Sequence, residues 1–349
     1  MVSTIRILSI DGGGIRGIIA ATVLREILGG RRAQDTFHLV AGTSTGGILA
    51  CGLCRPDPLS PQDLIDLYVE HGREIFSRSL LRSLPGADLV GERYSAAALE
   101  HHLRQQLGDA RLADVHGVDL LVPSYAIELP APRPNGETRA PLFFRSWQAA
   151  GEALPQGASP PEYDFFLRDV ARATSAAPTY FEPAAVRNGA GQRFGMIDGG
   201  VFANNPVMCA LVAAWRRYGP DHRFVVVSLG NGFLQRPISL AQARGWGKIG
   251  WLEPILSVLM DGNTDTVTFQ AQELLGPNHH RFDIPLGVTP SDRHAVNDDF
   301  DDASAGNVAA LLAKASDLVE TQQGHVREVA EFLKAPRDAV AVESGNGLV

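Results

Sequence analysis

The stretch Arg6–Gly30, RILSIDGGGIRGIIAATVLREILGG, decides how the chain is read. An apolar run, Ile5–Ile10, enters a glycine-rich turn, and a helix-like segment, Ile15–Leu28, leaves it. Strand, turn and helix in that order are the unit of an α/β fold. Gly12-Gly13-Gly14-Ile15-Arg16-Gly17 also satisfies G-x-G-x-x-G, so the loop suits either a dinucleotide's phosphates or some other anion. The next strand separates the two. A dinucleotide site wants an acid about 20 residues on, at the end of strand two, to hold the ribose. Here the second strand, Phe37–Ala41, runs into Gly42-Thr43-Ser44-Thr45-Gly46-Gly47, and the nearest acid, Asp35, precedes it. Asp11 also sets a carboxylate at the mouth of the first loop, where it repels a pyrophosphate. The dinucleotide reading is set aside, and no cofactor is expected.

Gly42-x-Ser44-x-Gly46, between a buried strand and a helix, is the nucleophile-elbow pattern. A serine in such a turn needs small neighbours, because a side chain at Gly42 or Gly46 crowds the adjoining strand or helix. The helix that follows aims free N–H groups and a positive dipole end at the hydroxyl. Gly12, Gly13 and Gly14 offer three consecutive backbone N–H groups with no side chains in the way, as an oxyanion hole requires. Parallel neighbours lie about 4.8 Å apart, so both loops open on one edge of the sheet. Arg16 either adds charge to that edge or forms a structural ion pair; the sequence leaves both open.

The 349 residues are 45% hydrophobic, and 31 Lys+Arg stand against 39 Asp+Glu, a net charge of −8. That balance gives no footprint for nucleic acid and no bulk attraction to an anionic membrane. Any contact with a membrane must then be local and apolar, and Ile75–Leu84 and Leu142–Trp147 are the candidate segments. Three cysteines make no disulfide framework, and Cys51-x-x-Cys54 reads as small residues packing on a helix. The chain enters a strand almost at once, without a basic leader or an apolar run of transmembrane length. The expected location is the cytoplasm, peripheral to the membrane when active.

Further along, helices are expected over Leu59–Ser77, Tyr94–Leu107, Tyr163–Ser175, Asn205–Tyr218, Leu252–Leu275 and Ala305–Leu333. Strands are expected over Val118–Glu128, Arg193–Ile197 and Phe224–Leu229. The alternation implies α/β with a largely parallel sheet. Residues 130–161, rich in Pro, Gly and Ala, read as a loop that either covers a site or is an insertion. Residues 1–290 are assigned to a catalytic domain, and 291–349 to a helical extension packed on it.

Asp198, in RFGMIDGGVFANNP, follows a short apolar strand and precedes two glycines. Within reach of Ser44 it can accept the hydroxyl proton directly; a turn or capping aspartate is the alternative. His222, His279, His280, His294 and His325 follow it, so chain order alone does not exclude a histidine base. His279-His280 reads as a solvated turn and His101-His102 as the exposed face of a helix. Asp261, Asp265 and the acids of 298–302 lack EF-hand spacing and read as a solvated acidic surface. No metal is expected.

DGGGIRG, GTSTGG and DGG, in that order, resemble the patatin-like phospholipase family, as do ARATSAAPTYFEP (171–183), NNP (204–206) and VSLGNG (227–232). The similarity runs from about Ile5 to Leu286. It implies a three-layer α/β/α sandwich and a Ser44–Asp198 dyad. It also implies an oxyanion hole at Gly12, Gly13 and Gly14, with Arg16 at the family's arginine position. Such an enzyme cleaves fatty-acyl esters of phospholipids without a metal, touching the membrane transiently. Gly230-Asn231-Gly232 departs from the family's usual GTG, a change expected not to touch catalysis. Three alternatives stand beside this reading. One is the same hydrolase held inactive until a cyclic nucleotide binds, as in phage-defence effectors that degrade membranes. Another is an esterase or thioesterase on small soluble substrates. The last is a silent binding or storage protein.

Overall fold

The computed structural model describes residues 2–76, 94–133, 135–233, 238–286, 296–297, 299–340 and 342. The strands are β1 (Thr4–Ile10), β2 (Leu39–Gly42), β3 (Asp119–Glu128), β4 (Ala140–Arg145), β5 (Ala184–Arg187), β6 (Arg193–Asp198), β7 (Arg223–Leu229) and β8 (His279–Phe282). The helices that bear on the site are α1 (Gly17–Leu28), α2 (Thr45–Cys54), α3 (Pro61–Ile75), α4 (Ala97–Leu107), α5 (Leu167–Thr174), α6 (Val207–Tyr218), α7 (Lys248–Leu275), α8 (Ala305–Thr321) and α9 (Gln323–Phe332).

One sheet runs β5-β6-β3-β2-β1-β7-β8, with β4 also on β3. The centre, β3-β2-β1-β7-β8, is parallel, while β4 and β6 both run antiparallel to β3. Alternation along β1 divides the core. Leu8 and Ile10 pack into one apolar cluster with residues of α1 to α5, α8 and α9; Ile5 and Ile7 pack into another with Val207, Ala210 and Ala214 of α6 and Ala271 of α7. Helices therefore cover both faces, and the molecule is an α/β/α sandwich. Cys51 and Cys54 are buried in the first of these clusters as free thiols, which burial pushes up.

The register on β3 positions the chemistry. Leu121 pairs with Arg145 of β4 and Ala41 of β2, so these two strands flank β3 on opposite edges. Ser124 pairs with Leu142 of β4 and Asp198 of β6, which puts β6 on the same edge as β2. The two strands approach along that edge from opposite directions and stop three β3 residues apart. The end of β2 carries Ser44; the end of β6 is Asp198.

Several local expectations need correction. Residues 140–149 are not loop: Ala140–Arg145 forms β4 and Ser146–Ala149 a short helix, on the far edge of β3. Phe144, Ser146 and Trp147 are buried there, so Leu142–Trp147 is no apolar surface for lipid. Most of Ile75–Leu84 lies outside the described residues. His279 opens β8 and is buried, held well below the ordinary imidazole range, at about 4, by burial and the nearby Arg281. His280 lies 2.9 Å from His325 Nε2 through its Nδ1. Neither sits in a solvated turn. His102 is also buried rather than on an exposed helix face.

Candidate active site

The elbow at Ser44 is strained: φ 55° and ψ −123° form a conformation that a residue with a side chain rarely adopts. Close packing holds it there. A Cβ added at Gly42 would lie 2.0 Å from the Gly46 carbonyl oxygen, and one at Gly46 would lie 2.3 Å from that of Ile10. Both glycines are thus required by contact, as the elbow pattern anticipates. The Ser44 N–H donates to Thr174 Oγ1 at 2.9 Å, and Thr174 donates to the Pro123 carbonyl at 2.6 Å.

The Ser44 hydroxyl donates to Asp198 Oδ2 at 2.7 Å, across 154 residues of sequence. Asp198 Oδ1 accepts the Gly200 N–H at 2.6 Å. The carboxyl is 2% exposed, and burial raises it to about 7 against the partial relief of those two donors. A carboxylate that shares its proton near neutral pH and is bonded to a hydroxyl can take that hydroxyl's proton. Among the described residues no histidine hydrogen-bonds either Ser44 or Asp198; His294 lies outside them.

The glycine loop faces this pair, with one correction. Gly12 N–H is spent on the Asn204 carbonyl at 2.9 Å, so it is not available to an oxyanion. The N–H groups of Gly13 and Gly14 donate to no other described residue. Gly14 has φ +57°, and a Cβ there would meet the Phe300 carbonyl oxygen at 2.2 Å. That carbonyl in turn accepts Ile15 N–H at 2.9 Å. Arg16 carries its charge beside the glycine loop, and the ion-pair reading finds no partner among the described residues. The side chain is buried, its Nε donates to the Gly13 carbonyl at 3.3 Å, and its guanidinium lies 4.2 Å over the Phe300 ring. Burial lowers it to about 10.

Sequence reasoning passed over what holds the loop in place. Asn231 is buried and donates through Nδ2 to the Asp11 carbonyl at 2.6 Å, so the departure from GTG bears directly on the loop. Behind it, Arg281 bonds Asp11 Oδ2 at 2.7 Å, Asp283 Oδ2 at 2.6 Å and Ser228 Oγ at 3.0 Å. Burial raises Asp11 to about 6 even beside that guanidinium. The NNP motif pins the loop to α7: Asn204 Nδ2 reaches Thr264 at 2.9 Å and Asn205 Nδ2 reaches Thr268 at 3.1 Å. Asp301 is not part of a solvated acidic surface either, because it is buried and accepts the Tyr94 hydroxyl at 2.5 Å.

Beside Ser44 opens a narrow pocket with a cavity volume of about 60 Å³, lined on its apolar side by Ile48, Ile75, Leu99, Phe181, Met260 and Phe300. No described residue of 130–161 lines it. The sequence profile of the family described as patatin-like phospholipase matches residues 8–211, which carry both loops, the elbow and Asp198.

The chain belongs to the patatin-like phospholipase family. It is 31% identical over 92% of its length to Patatin-like protein 1 of Arabidopsis thaliana, covering 80% of that protein. It is 28% identical over 95% of its length to Patatin-like protein 1 of Oryza sativa subsp. indica, covering 85% of that one. Among solved structures, human GIVD cytosolic phospholipase A2 aligns with 95% of this chain and 60% of its own, at 13% identity and a TM-score of 0.46. The protein is a lipid acyl hydrolase in the broad sense of the family.

The buried carboxyl has a stability consequence. Between an ordinary value of 3.8 and its folded value near 7, Asp198 stays protonated in the fold but ionises in the unfolded chain. Folding therefore loses stability as pH rises through that window, by on the order of 4 kcal/mol once both states are ionised. Asp198→Asn removes the ionisation. It is expected to be markedly more stable than the wild type at pH 8 and nearly equal at pH 4 in urea melts. A difference of the same size at both pH values would contradict the assignment.

Proposed function

We propose that the protein hydrolyses fatty-acyl esters of phospholipids, with Ser44 as nucleophile and Asp198 as the group that takes and returns its proton. The observation that carries this reading is the 2.7 Å hydroxyl–carboxyl contact, buried beside an apolar pocket that Gly13 and Gly14 also line, with N–H groups bonded to no described residue. As Asp198 Oδ2 takes the Ser44 proton, Oγ bonds to the ester carbonyl carbon. The carbonyl oxygen becomes an oxyanion opposite the Gly13 and Gly14 N–H groups. Collapse breaks the bond to the lysophospholipid alcohol, which leaves with the proton from Asp198. Water then gives a proton to Asp198 and attacks the acyl-Ser44 ester. The second collapse releases fatty acid and restores the Ser44 hydroxyl. The acyl chain lies among Ile48, Ile75, Leu99 and Phe181.

Helix α7 supplies the contact with lipid. No helix among the described residues is long and apolar enough to cross a membrane. On α7, however, Trp251, Ile255, Val258 and Leu259 are 37%, 41%, 41% and 56% exposed. Their spacing of i, i+4, i+7 and i+8 makes them one stripe. The next residue, Met260, turns the opposite way into the pocket beside Ser44. An apolar stripe on the helix that walls the site fits a lipid surface better than a small soluble ester does.

A cyclic-nucleotide switch receives less support. The polar recess at the other end of the sheet, lined by His38, Asp119, Arg217 and Arg337, has its cations engaged. Arg217 pairs with Asp119 and Glu152, and Arg337 bonds the Phe37 carbonyl.

Free fatty acid release from phospholipid vesicles tests the chemistry. Wild type is expected to release fatty acid, and Ser44→Ala and Asp198→Asn to lose at least roughly 1000-fold, as acyl-transfer centres do without nucleophile or base. Near-full activity of either variant would contradict the dyad, and stimulation by added cyclic nucleotides would restore the switch.

The docking stripe has its own test. Trp251→Ala combined with Ile255→Ser and Leu259→Ser is expected to cut vesicle hydrolysis by about 10-fold or more, the effect of losing three buried apolar side chains at the interface. Hydrolysis of a short-chain soluble ester should stay unchanged. An equal loss on both substrates would place the stripe in the fold rather than at the lipid.

A further inference from the structure

Helices α3 and α4, which supply Tyr68, Ile75 and Leu99 to the acyl pocket, also bring together a cluster that ester hydrolysis does not use. His71 and Glu74 stand three residues apart on α3 and so share a face. His102 meets them from α4. One ligand atom from each of the three lies within 4.8 Å of the others. The His71 and His102 rings stack with centroids 4.2 Å apart and planes at 24°. The His102 side chain is 5% exposed, and its Nε2 lies 2.8 Å from Glu74 Oε2. Donating Nε2–H to that carboxylate leaves His102 Nδ1 as a lone pair. That atom and His71 Nδ1 are both buried without a hydrogen-bond partner.

Two stacked imidazoles, each with an unserved buried nitrogen and each offering a ligand atom within 4.8 Å of a carboxylate oxygen, are an unusual arrangement for packing alone. A shared cation takes the Nε2 side of His102, replacing that hydrogen bond to Glu74 and moving the ring proton to Nδ1. Two imidazoles and one carboxylate form a borderline donor set, suited to zinc and its neighbours rather than to calcium or magnesium, which prefer all-oxygen shells. We propose that His71, Glu74 and His102 bind one zinc-class divalent ion, with a fourth position open to water. Zinc–nitrogen bonds of about 2.0–2.1 Å require the three ligand atoms to draw in by about 1 Å. His71, whose side chain is 31% exposed, has room to make that shift, and Glu74, at 63%, leaves the ion a path from solvent. The bound ion ties α3 to α4 and so braces two walls of the pocket. Its role is structural, and it stands whether or not the dyad chemistry does.

The test uses the full-length chain stripped of metal by a chelator. Zinc is titrated in competition with a chromophoric chelator, and cobalt(II) serves as a spectroscopic probe. The wild type is expected to take up one equivalent tightly, to show the visible bands of four-coordinate cobalt, and to melt at a higher temperature when loaded. His71→Ala and Glu74→Gln, both outside the fully buried core, are each expected to weaken binding by about 100-fold or more, since even lost supporting contacts cost 10–100-fold. His101→Ala, on the neighbouring exposed position, should bind as the wild type does. Absence of a tight equivalent would overturn the proposal. So would equal affinity in the His71→Ala/Glu74→Gln double variant, which would mark adventitious surface binding only.

Discussion

The meeting of β2 and β6 on one edge of β3 is the constraint on which the site depends. Both strands run toward the gap, from opposite ends of that edge, and both stop short. Ser44 and Asp198 fill the space between. No flexible loop has to bring them together, because their separation follows from the register of a buried sheet. The same arrangement removes water from the carboxyl, which is why its proton is shared near neutral pH. Strain at Ser44 and desolvation at Asp198 both oppose folding, and the packed strands on either side hold them in place.

The glycine loop is fixed from behind in a similar way. Arg281 on β8 spans Asp11 and Asp283, and Asn231 after β7 holds the Asp11 carbonyl. Three strand ends therefore converge on one short turn, with Gly13 and Gly14 left to face the serine. On the solvent side Phe300 closes over Arg16 and lines the pocket, so residues distant in the chain complete the wall.

Much of this was legible in the sequence where the signal is local. The glycine loop, the G-x-S-x-G elbow and Asp198 before two glycines each carry their reason in neighbouring residues. What was not legible depends on pairing at long range. Nothing in RFGMID reveals that β6 runs antiparallel, although that direction is what delivers Asp198. The strand APLFFR lay unrecognised inside a Pro- and Gly-rich stretch because it pairs only with β3. His279 and His102 read as polar surface, yet a short edge strand and a helix crossing bury them. The loss of Gly12 as a donor came from the Asn204 carbonyl, 192 residues away in sequence, and no spacing rule anticipates that.

The most direct measurement of the central claim is the rate at which a fluorophosphonate labels Ser44 as a function of pH, in wild type and Asp198→Asn. With Asp198 as the proton acceptor, labelling in the wild type rises through a single titration near pH 7, and in Asp198→Asn it is slow and flat over the same range. A variant that labels as fast as the wild type, with the same pH dependence, would show that another group activates Ser44.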